Sequence, residues 1–245
     1  QNAPNTLTCE LKQEELLAAA GIEVLYVLPF DALTARLTPE EFVETIVAKR
    51  CHARRLIVGH DFCFGRGAEG DYAFLEAAGP RYGFDVVQAP QLVIHGERVS
   101  STLIRELILQ GELDGVETFL GRKYSIVGEV VSGRGIGVQL GFPTANVAPH
   151  HSAVPANGVY AAKVLVEGEE HTAAVNIGVA PTIRDEDTAI EAHLLDFEGD
   201  LVGKTVEIVF HKRLRPERKF PGREALVAQI AEDVREIKGF FGLAI

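Results

Sequence analysis

The sequence predicts an α/β layer followed by a small antiparallel β-barrel or sandwich, and three observations support this. Helix-like and strand-like patterns alternate over residues 1–120, as they do where helices cover a mostly parallel sheet. After Gly121 short β-rich segments, separated by Gly, Pro, Asn and charged residues, replace that alternation. An amphipathic helix is predicted over 222–239. We therefore expect two domains, covering residues 1–120 and 121–245.

The first domain is predicted to begin with a helix over 10–20 and a buried strand over 22–29. Thr38 and Glu41 have the spacing of a capping box, and Pro39 occupies the first position of the helix that this box begins. The remaining predicted elements are a strand over 55–60, a helix over 71–79, a strand over 84–90, and helices that begin near Ser100 and Glu112.

The second domain is predicted to contain five short strands before its helix. These strands cover residues 123–131, 158–166, 171–177, 189–197 and 205–211. In the final helix, Leu226, Ile230, Val234 and Ile237 recur at intervals of four, four and three residues, which places them on one helix face.

Composition excludes several classes of function. The 245 residues carry a net charge of −11, which argues against nucleic acid as a partner, because phosphate backbones are bound by clustered Lys and Arg. Neither a membrane-spanning run nor a signal peptide is recognisable in the sequence. Three cysteines without a C-x-x-C pair favour reduced thiols, and so a cytoplasmic protein. Nothing in the pattern distinguishes a monomer from a homo-oligomer.

The stretch "LGFPTANV" carries the first candidate site. Thr144 and Asn146 are two residues apart, so in an extended segment their oxygen-bearing side chains project to the same side. Pro143 lacks an N–H and therefore indicates a strand start or an edge, where a ligand has access. Two interpretations remain: a site for a metal ion or a phosphate, and a turn whose side chains bond only the local backbone.

A glycine-rich loop precedes this pair, with glycines at 133, 135, 137 and 141. Glycine permits positive φ and close backbone approach, so Gly133, Gly135, Gly137 and Gly141 can turn backbone N–H groups toward phosphate oxygens. Val138 stands where a dinucleotide fingerprint requires glycine, and no G-K-[ST] follows. A flexible hairpin is the alternative to a phosphate-binding flap.

Glu191 is the candidate general base. In "AIEAHLLDF" it alternates with apolar residues, and a carboxylate in such a strand is costly unless it is paired or functional. Mg²⁺ held by Thr144 and Asn146 would position ATP phosphates while Glu191 takes a proton from a substrate hydroxyl, which together supplies the parts for phosphoryl transfer. The alternative is an edge-strand glutamate that faces water. His193 is interpreted as a packing or hydrogen-bonding residue.

Two segments of the first domain are further candidates. Ser100, Ser101 and Thr102 begin a helix with Arg105 one turn later, which suits an anion, although serines there are usually plain N-caps. Asp61 and Phe62 follow a predicted strand, where open parallel sheets bind ligands. For this second segment the alternative is an ordinary strand-to-helix turn.

These motifs together resemble the bacterial bifunctional riboflavin kinase/FMN adenylyltransferase family, also called FAD synthetase. The ordered set extends over nearly the whole chain: "VGHDFCFG" (58–65), "SSTLIR" (100–105), "GFPTAN" (141–146), "GVYAA" (158–162), "NIGVAPT" (176–182), "EAHLLDFEGDLVGK" (191–204) and "RLRPERKF" (213–220). The resemblance implies a Rossmann-like nucleotidyltransferase domain, followed by a six-stranded riboflavin kinase barrel with a C-terminal helix.

The resemblance also implies roles and substrates. Riboflavin, FMN and ATP would be the substrates and Mg²⁺ the cofactor. Glu191 would activate the ribityl 5′-hydroxyl, Thr144 and Asn146 would bind Mg²⁺ and ATP phosphates, and the loop 133–141 would close over the nucleotide. Arg215 would lie near the flavin. Ser100, Ser101, Thr102 and Arg105 would contact ATP phosphates during adenylyl transfer, with Asp61 and Phe62 in a flavin or nucleotide loop.

One departure from the family pattern concerns the start of the chain. The family's first domain carries an H-x-G-H motif that binds nucleotide phosphates, and no H-x-G-H occurs in these 245 residues. We expect the chain to begin inside that domain, after its first strand and helix. A non-catalytic flavin-binding or regulatory protein on the same fold is the alternative function.

Overall fold

The computed structural model describes residues 5–179 and 188–244, and the chain divides into two compact units. One unit is Val24–Val99, and the other combines Gln1–Glu23 with Ser100–Ile245. The predicted domain boundary between residues 120 and 121 stays a prediction, because a division of the chain into compact units does not test where one domain ends and the next begins.

The unit Val24–Val99 is built around a short parallel sheet. Its strands β1 (Arg55–Val58) and β2 (Asp85–Gln88) pair in parallel, as predicted. Its other elements are α2 (Pro39–Phe42), a π-helical continuation (Val43–Arg50), α3 (Tyr72–Tyr82), and a hairpin of β3 (Val93–Ile94) and β4 (Glu97–Arg98). The predicted capping box is present: Thr38 accepts from the Glu41 backbone N–H, and the Glu41 carboxylate accepts from the Thr38 N–H.

The strand predicted over 22–29 is wrong. This run has no regular secondary structure, and Val24 and Val27 are 81% and 64% exposed. An apolar run becomes a strand only where a neighbouring strand offers its unpaired backbone groups. In the described part of the unit, β1 and β2 pair only with each other, so the run has no strand beside it.

Six antiparallel strands close into a barrel, which decides between the barrel and the sandwich. The strands are β5 (Ser125–Val131), β6 (Ala145–Pro149), β7 (Gly158–Val166), β8 (Glu169–Val179), β9 (Thr188–Leu194) and β10 (Thr205–Arg215). Their order around the barrel is β10-β5-β6-β9-β8-β7. Alternating side chains from every strand fill its interior, including Ile126, Tyr160, Val175, Ile190, Ile208 and Phe210.

Five further helices belong to the barrel's unit. They are α1 (Glu10–Ala19), α4 (Ser101–Gln110), α5 (Leu113–Leu120), the short α6 (Ile136–Leu140) and α7 (Arg223–Phe240). Ile237 of α7 is fully buried against Ala161 and Leu195, so the predicted apolar face of this helix packs on the outside of the barrel. Among the described helices, none combines the length and the apolar character that crossing a bilayer requires.

Candidate active site

The glycine-rich loop folds back onto the Thr144–Asn146 pair. A Cβ atom added to Gly133 would collide with the side-chain amide of Asn146, and one added to Gly137 would lie 2.9 Å from Thr144 Oγ1. Both contacts are closer than a real side chain tolerates, so only glycine allows the backbone to approach there. The loop and the pair therefore form one surface.

Two other glycines shape the loop through their backbone angles. Gly135 (φ 68°) and Gly141 (φ 86°) flank α6 in the left-handed region. Other residues adopt this region only at a conformational cost. Helix α6 was not predicted, because the five residues between the two glycines are too few to show helical periodicity.

A cavity of about 430 Å³ opens between this loop and the segment that follows β9. One wall includes Gly133, Gly135, Val138, Thr144 and Asn146, and the other is formed by residues 197–202. Phe197 and Leu201 give the second wall apolar surface. The Asp200 carboxylate on that wall accepts a hydrogen bond from the Val202 backbone N–H (3.0 Å), which closes the local turn. The cavity thus combines the polar pair with an apolar side suited to a flat ring.

The strand register places Glu191 between two asparagines. Asn146 on β6 is directly opposite Glu191 on β9, and Asn176 on β8 is directly opposite Glu191 from the other side. Directly opposite residues point to one face with Cβ atoms about 4.5–5.5 Å apart. All three side chains are half-buried. Asn176 was not singled out from the sequence as a site residue, although it is the first residue of the motif "NIGVAPT".

Glu191 is not an edge-strand residue. Its strand lies between β6 and β8 inside a closed barrel, so the alternative of an edge glutamate facing water does not hold. Ile190 and Ala192 are each 1% exposed and point into the barrel, while Glu191 lies on the outer face. The predicted alternation of this strand is therefore correct.

His193 fixes the segment that leads into β6. Its Nδ1 donates to the carbonyl oxygen of Pro143 (2.7 Å), and its ring meets Phe142 edge-on. The interpretation of His193 as a hydrogen-bonding residue is confirmed. Pro143 lies two residues before the start of β6, outside the strand, as its missing N–H favours.

Arg215 lies on the outer face close to the same row. It pairs across the sheet with Val159, which in turn pairs with Asn176. Its guanidinium donates hydrogen bonds to Asp233 of α7, from Nε to Oδ1 at 2.9 Å and to Oδ2 at 3.2 Å, and from Nη2 to Oδ2 at 2.6 Å. Arg215 therefore joins the last strand to the C-terminal helix.

Comparisons with known proteins identify the family of this chain. A bifunctional riboflavin kinase/FMN adenylyltransferase from Escherichia coli K12 is 38% identical over 242 residues, which cover 98% of this chain and 77% of that protein. The protein of the same name from Haemophilus influenzae is 37% identical and covers 98% and 79%. This chain belongs to the bifunctional riboflavin kinase/FMN adenylyltransferase family.

Both halves of the family pattern are represented. The riboflavin kinase family model matches residues 120–241, and the FAD synthetase family model matches residues 1–103. A crystal structure of a macrolide-efflux protein from Streptococcus pneumoniae has the same fold, with a TM-score of 0.83 and 29% identity over 95% of this chain and 75% of that one. The riboflavin kinase match covers the closed barrel and all of α7.

The adenylyltransferase candidates are divided between the two compact units. In the first unit, Asp61 pairs with Arg98 (2.7 Å), and this hydrogen bond is the main reason why the pKa of the Asp61 carboxyl is lowered. Phe62 stacks on Phe64, with ring centroids 5.6 Å apart, and stays partly exposed. Both candidates are thus accessible from solvent.

The other adenylyltransferase candidates lie at the start of α4. Ser100 is the N-cap, and its side chain accepts from the Leu103 N–H at 3.2 Å. Ser101 and Thr102 are exposed in the first turn, and Arg105 Nε donates to the Asn5 carbonyl oxygen at 3.1 Å. The capping role of Ser100 is therefore realised, while Ser101 and Thr102 leave their hydroxyls toward solvent.

Over residues 5–179 and 188–244, no three His, Cys, Asp or Glu side chains are grouped as a metal site. The hydroxyl oxygen of Thr144 and the amide oxygen of Asn146 are the groups of this site that could hold a cation.

The last three residues of the motif "NIGVAPT", 180–182, lie outside the described residues.

Proposed function

We propose that this chain acts in FAD biosynthesis, and that its barrel transfers the γ-phosphoryl group of ATP to riboflavin and so forms FMN. The observation that carries this proposal is the position of Asn146. Its side chain lines the cavity beneath the glycine loop, and on the neighbouring strand it stands opposite Glu191. A nucleotide site and a carboxylate base are thereby adjacent, as phosphoryl transfer to a hydroxyl requires.

Mg²⁺ suits the donors at this junction. Thr144 contributes a hydroxyl and Asn146 an amide carbonyl, and hard divalent cations bind oxygen ligands. Mg²⁺ keeps several waters and usually takes few protein ligands beside substrate phosphates, so two protein oxygens are enough. When bound, the ion would neutralise charge on the phosphate oxygens.

The chain's own residues would carry out the remaining steps. The loop residues Gly133 and Gly137 lie on the Asn146 and Thr144 side chains, so a nucleotide in the cavity would be covered by backbone N–H groups rather than by side chains. The Glu191 carboxylate would accept the proton of the riboflavin 5′-hydroxyl, whose oxygen then attacks the γ-phosphorus. ADP leaves with the electron pair of the broken bond.

We further propose adenylyl transfer from ATP to FMN by the N-terminal domain. Ser101, Thr102 and Arg105 at the start of α4 would contact the ATP phosphates there, and Ser100 would hold the helix start in place. Exposed N–H groups at a helix N-terminus and a nearby guanidinium are an established combination for anions. Asp61 and Phe62 would contribute to the flavin or nucleotide loop.

The deciding experiment is a direct assay of the barrel reaction. The chain is incubated with riboflavin, ATP and Mg²⁺, and the flavins are separated by chromatography with ADP measured in parallel. FMN and ADP formed in equal amounts, and lost when Mg²⁺ is chelated, would support the proposal. Riboflavin binding without FMN in a folded protein would instead identify a non-catalytic flavin-binding protein.

A further inference from the structure

Asn176 occupies a position equivalent to that of Asn146, on the opposite side of Glu191. Both asparagines are direct register partners of Glu191, one on β8 and one on β6. Their side chains therefore leave the barrel on the face that carries the carboxylate. In this structure the side chains of Asn176 and Glu191 make no hydrogen bond to each other, but their register leaves the amide and the carboxylate within reach of each other through side-chain rotation.

The two asparagines differ in their surroundings. Asn146 contacts the glycine loop at Gly133 and lines the cavity, whereas Asn176 is absent from the cavity wall. The same-face neighbours of Asn176 on β8 are Ala174 and Gly178, which carry one side-chain carbon and none. Asn176 is thus the polar group of this stretch of β8, with a small residue on either side of it on the same face.

A second carboxylate bounds this face. A Cβ atom added to Gly178 would lie 2.5 Å from Oε1 of Glu217, so the Glu217 carboxylate covers the strand two residues beyond Asn176. A second carboxylate therefore lies on the face that carries Glu191, two residues along β8 from Asn176.

We propose that Asn176 is a positioning residue for the base. With riboflavin bound, its amide N–H would donate to one oxygen of the Glu191 carboxylate and leave the other oxygen free to accept from the substrate hydroxyl. The proposal rests on the proposed kinase function, since it assigns a role within that reaction. It adds no step to the chemistry: Asn176 exchanges no proton and contacts Glu191 rather than the phosphorus.

Asn176→Asp is the sharpest test, because it keeps the shape and replaces the donor with a second carboxylate. We expect kcat for FMN formation at pH 7 to fall by about 10- to 100-fold, the usual loss when a residue that orients a functional ligand is changed. The acidic limb of the kcat profile should move to higher pH, because a like charge disfavours the ionised base. The KM for riboflavin should stay within about threefold, since binding is little affected.

Gln110→Glu is the matched control, because it makes the same amide-to-carboxylate change at an exposed position on α4. Its profile should coincide with that of the parent. An Asn176→Asp enzyme with the parental kcat and acidic limb would overturn the proposal. A loss of activity with the acidic limb unmoved would overturn it too, because a purely structural role acts in that way.

Asn176→Ala keeps the test decisive if the aspartate variant does not fold. Loss of the donor should lower kcat and move the acidic limb in the same direction by a smaller amount, and an unmoved limb would again contradict the proposal. Failure of the proposed function gives a different result: the unmodified chain forms no FMN at all. An active parent with unaffected Asn176 variants would reject this inference alone.

Discussion

Arg215 and Asp233 form a two-point ion pair between the last barrel strand and the C-terminal helix. The shorter contact joins Arg215 Nη2 to Asp233 Oδ2 at 2.6 Å, and the two side chains are only 18% and 6% exposed. Gln229 donates a further hydrogen bond to the same carboxylate at 2.7 Å. Because Arg215 lies on the outer face near Asn176, this pair fixes α7 beside the proposed flavin side of the barrel.

Removal of the carboxylate should destabilise the barrel strongly. Asp233→Ala leaves the Arg215 guanidinium buried without its partner, and breaking a buried pair in this way typically costs about 3–5 kcal/mol. Urea unfolding measures the change. Glu232→Ala on the same helix breaks an exposed pair with Arg235 and should cost less than about 1 kcal/mol. An equal decrease in the free energy of unfolding in the two variants would show that the Arg215–Asp233 pair stabilises the protein no more than an exposed pair does.

Loss of the proposed base should abolish catalysis and preserve binding. Glu191→Gln retains size and hydrogen-bonding capacity but accepts no proton, so kcat should fall by about 10²–10⁴. Riboflavin affinity, measured by flavin fluorescence, should be unchanged. Glu169→Gln at the start of β8, where the side chain is 82% exposed, is the matched control. Full turnover by Glu191→Gln would remove Glu191 from the mechanism.

The glycine loop can be tested by adding a single methyl group. Gly133→Ala places a Cβ atom on the Asn146 amide, so either the loop or that side chain must move. We expect the KM for MgATP to rise by about tenfold or more, because displacements near 1 Å are costly at a reacting centre. Gly239→Ala on α7 has open space around it and should behave as the parent. A variant with parental ATP kinetics would separate the loop from nucleotide binding.

Features of the fold and the site could be predicted from the sequence where they depend only on residues that are close together in the chain. Alternation in β9 predicted that Glu191 and the core residue Ile190 face opposite sides, and the capping box at Thr38 predicted a helix start. Both patterns require only neighbours in the sequence. The ion pair of Arg215 with Asp233 could not be predicted, because Asp233 is 18 residues further along and is brought to Arg215 by the packing of α7.

The pairing register of the strands could not be predicted from local patterns either. A strand pattern gives the face of Asn176 but not the residue opposite it, which depends on how β8 pairs with β9. The failed strand over 22–29 has a related cause, since apolar residues such as Val24 favour a strand only where a partner is present. The family motifs were predictable because each is a contiguous run, whereas their assembly into one surface is a property of the closed barrel.

His211 should make the barrel less stable in mild acid. Burial, reinforced by Lys123, lowers the pKa of this β10 histidine below its usual value near 6.5, and its ring meets Phe241 edge-on at 5.0 Å. The unfolded chain therefore binds a proton more readily than the folded one. This contribution to stability is present above pH 6.5 and is lost as the pH falls through the lowered pKa of the folded state.

The neutral variant His211→Gln tests that linkage. Between pH 7 and pH 5, the free energy of unfolding should fall less in His211→Gln than in the parent, because the variant has no imidazole to protonate at this position. Urea unfolding at half-unit pH steps, followed by circular dichroism, measures both curves. Above pH 7.5 the two curves should run parallel, which separates the effect of the proton from any constant effect of the substitution. Curves that stay parallel down to pH 5 would show that His211 takes up its proton equally well in the folded and the unfolded chain.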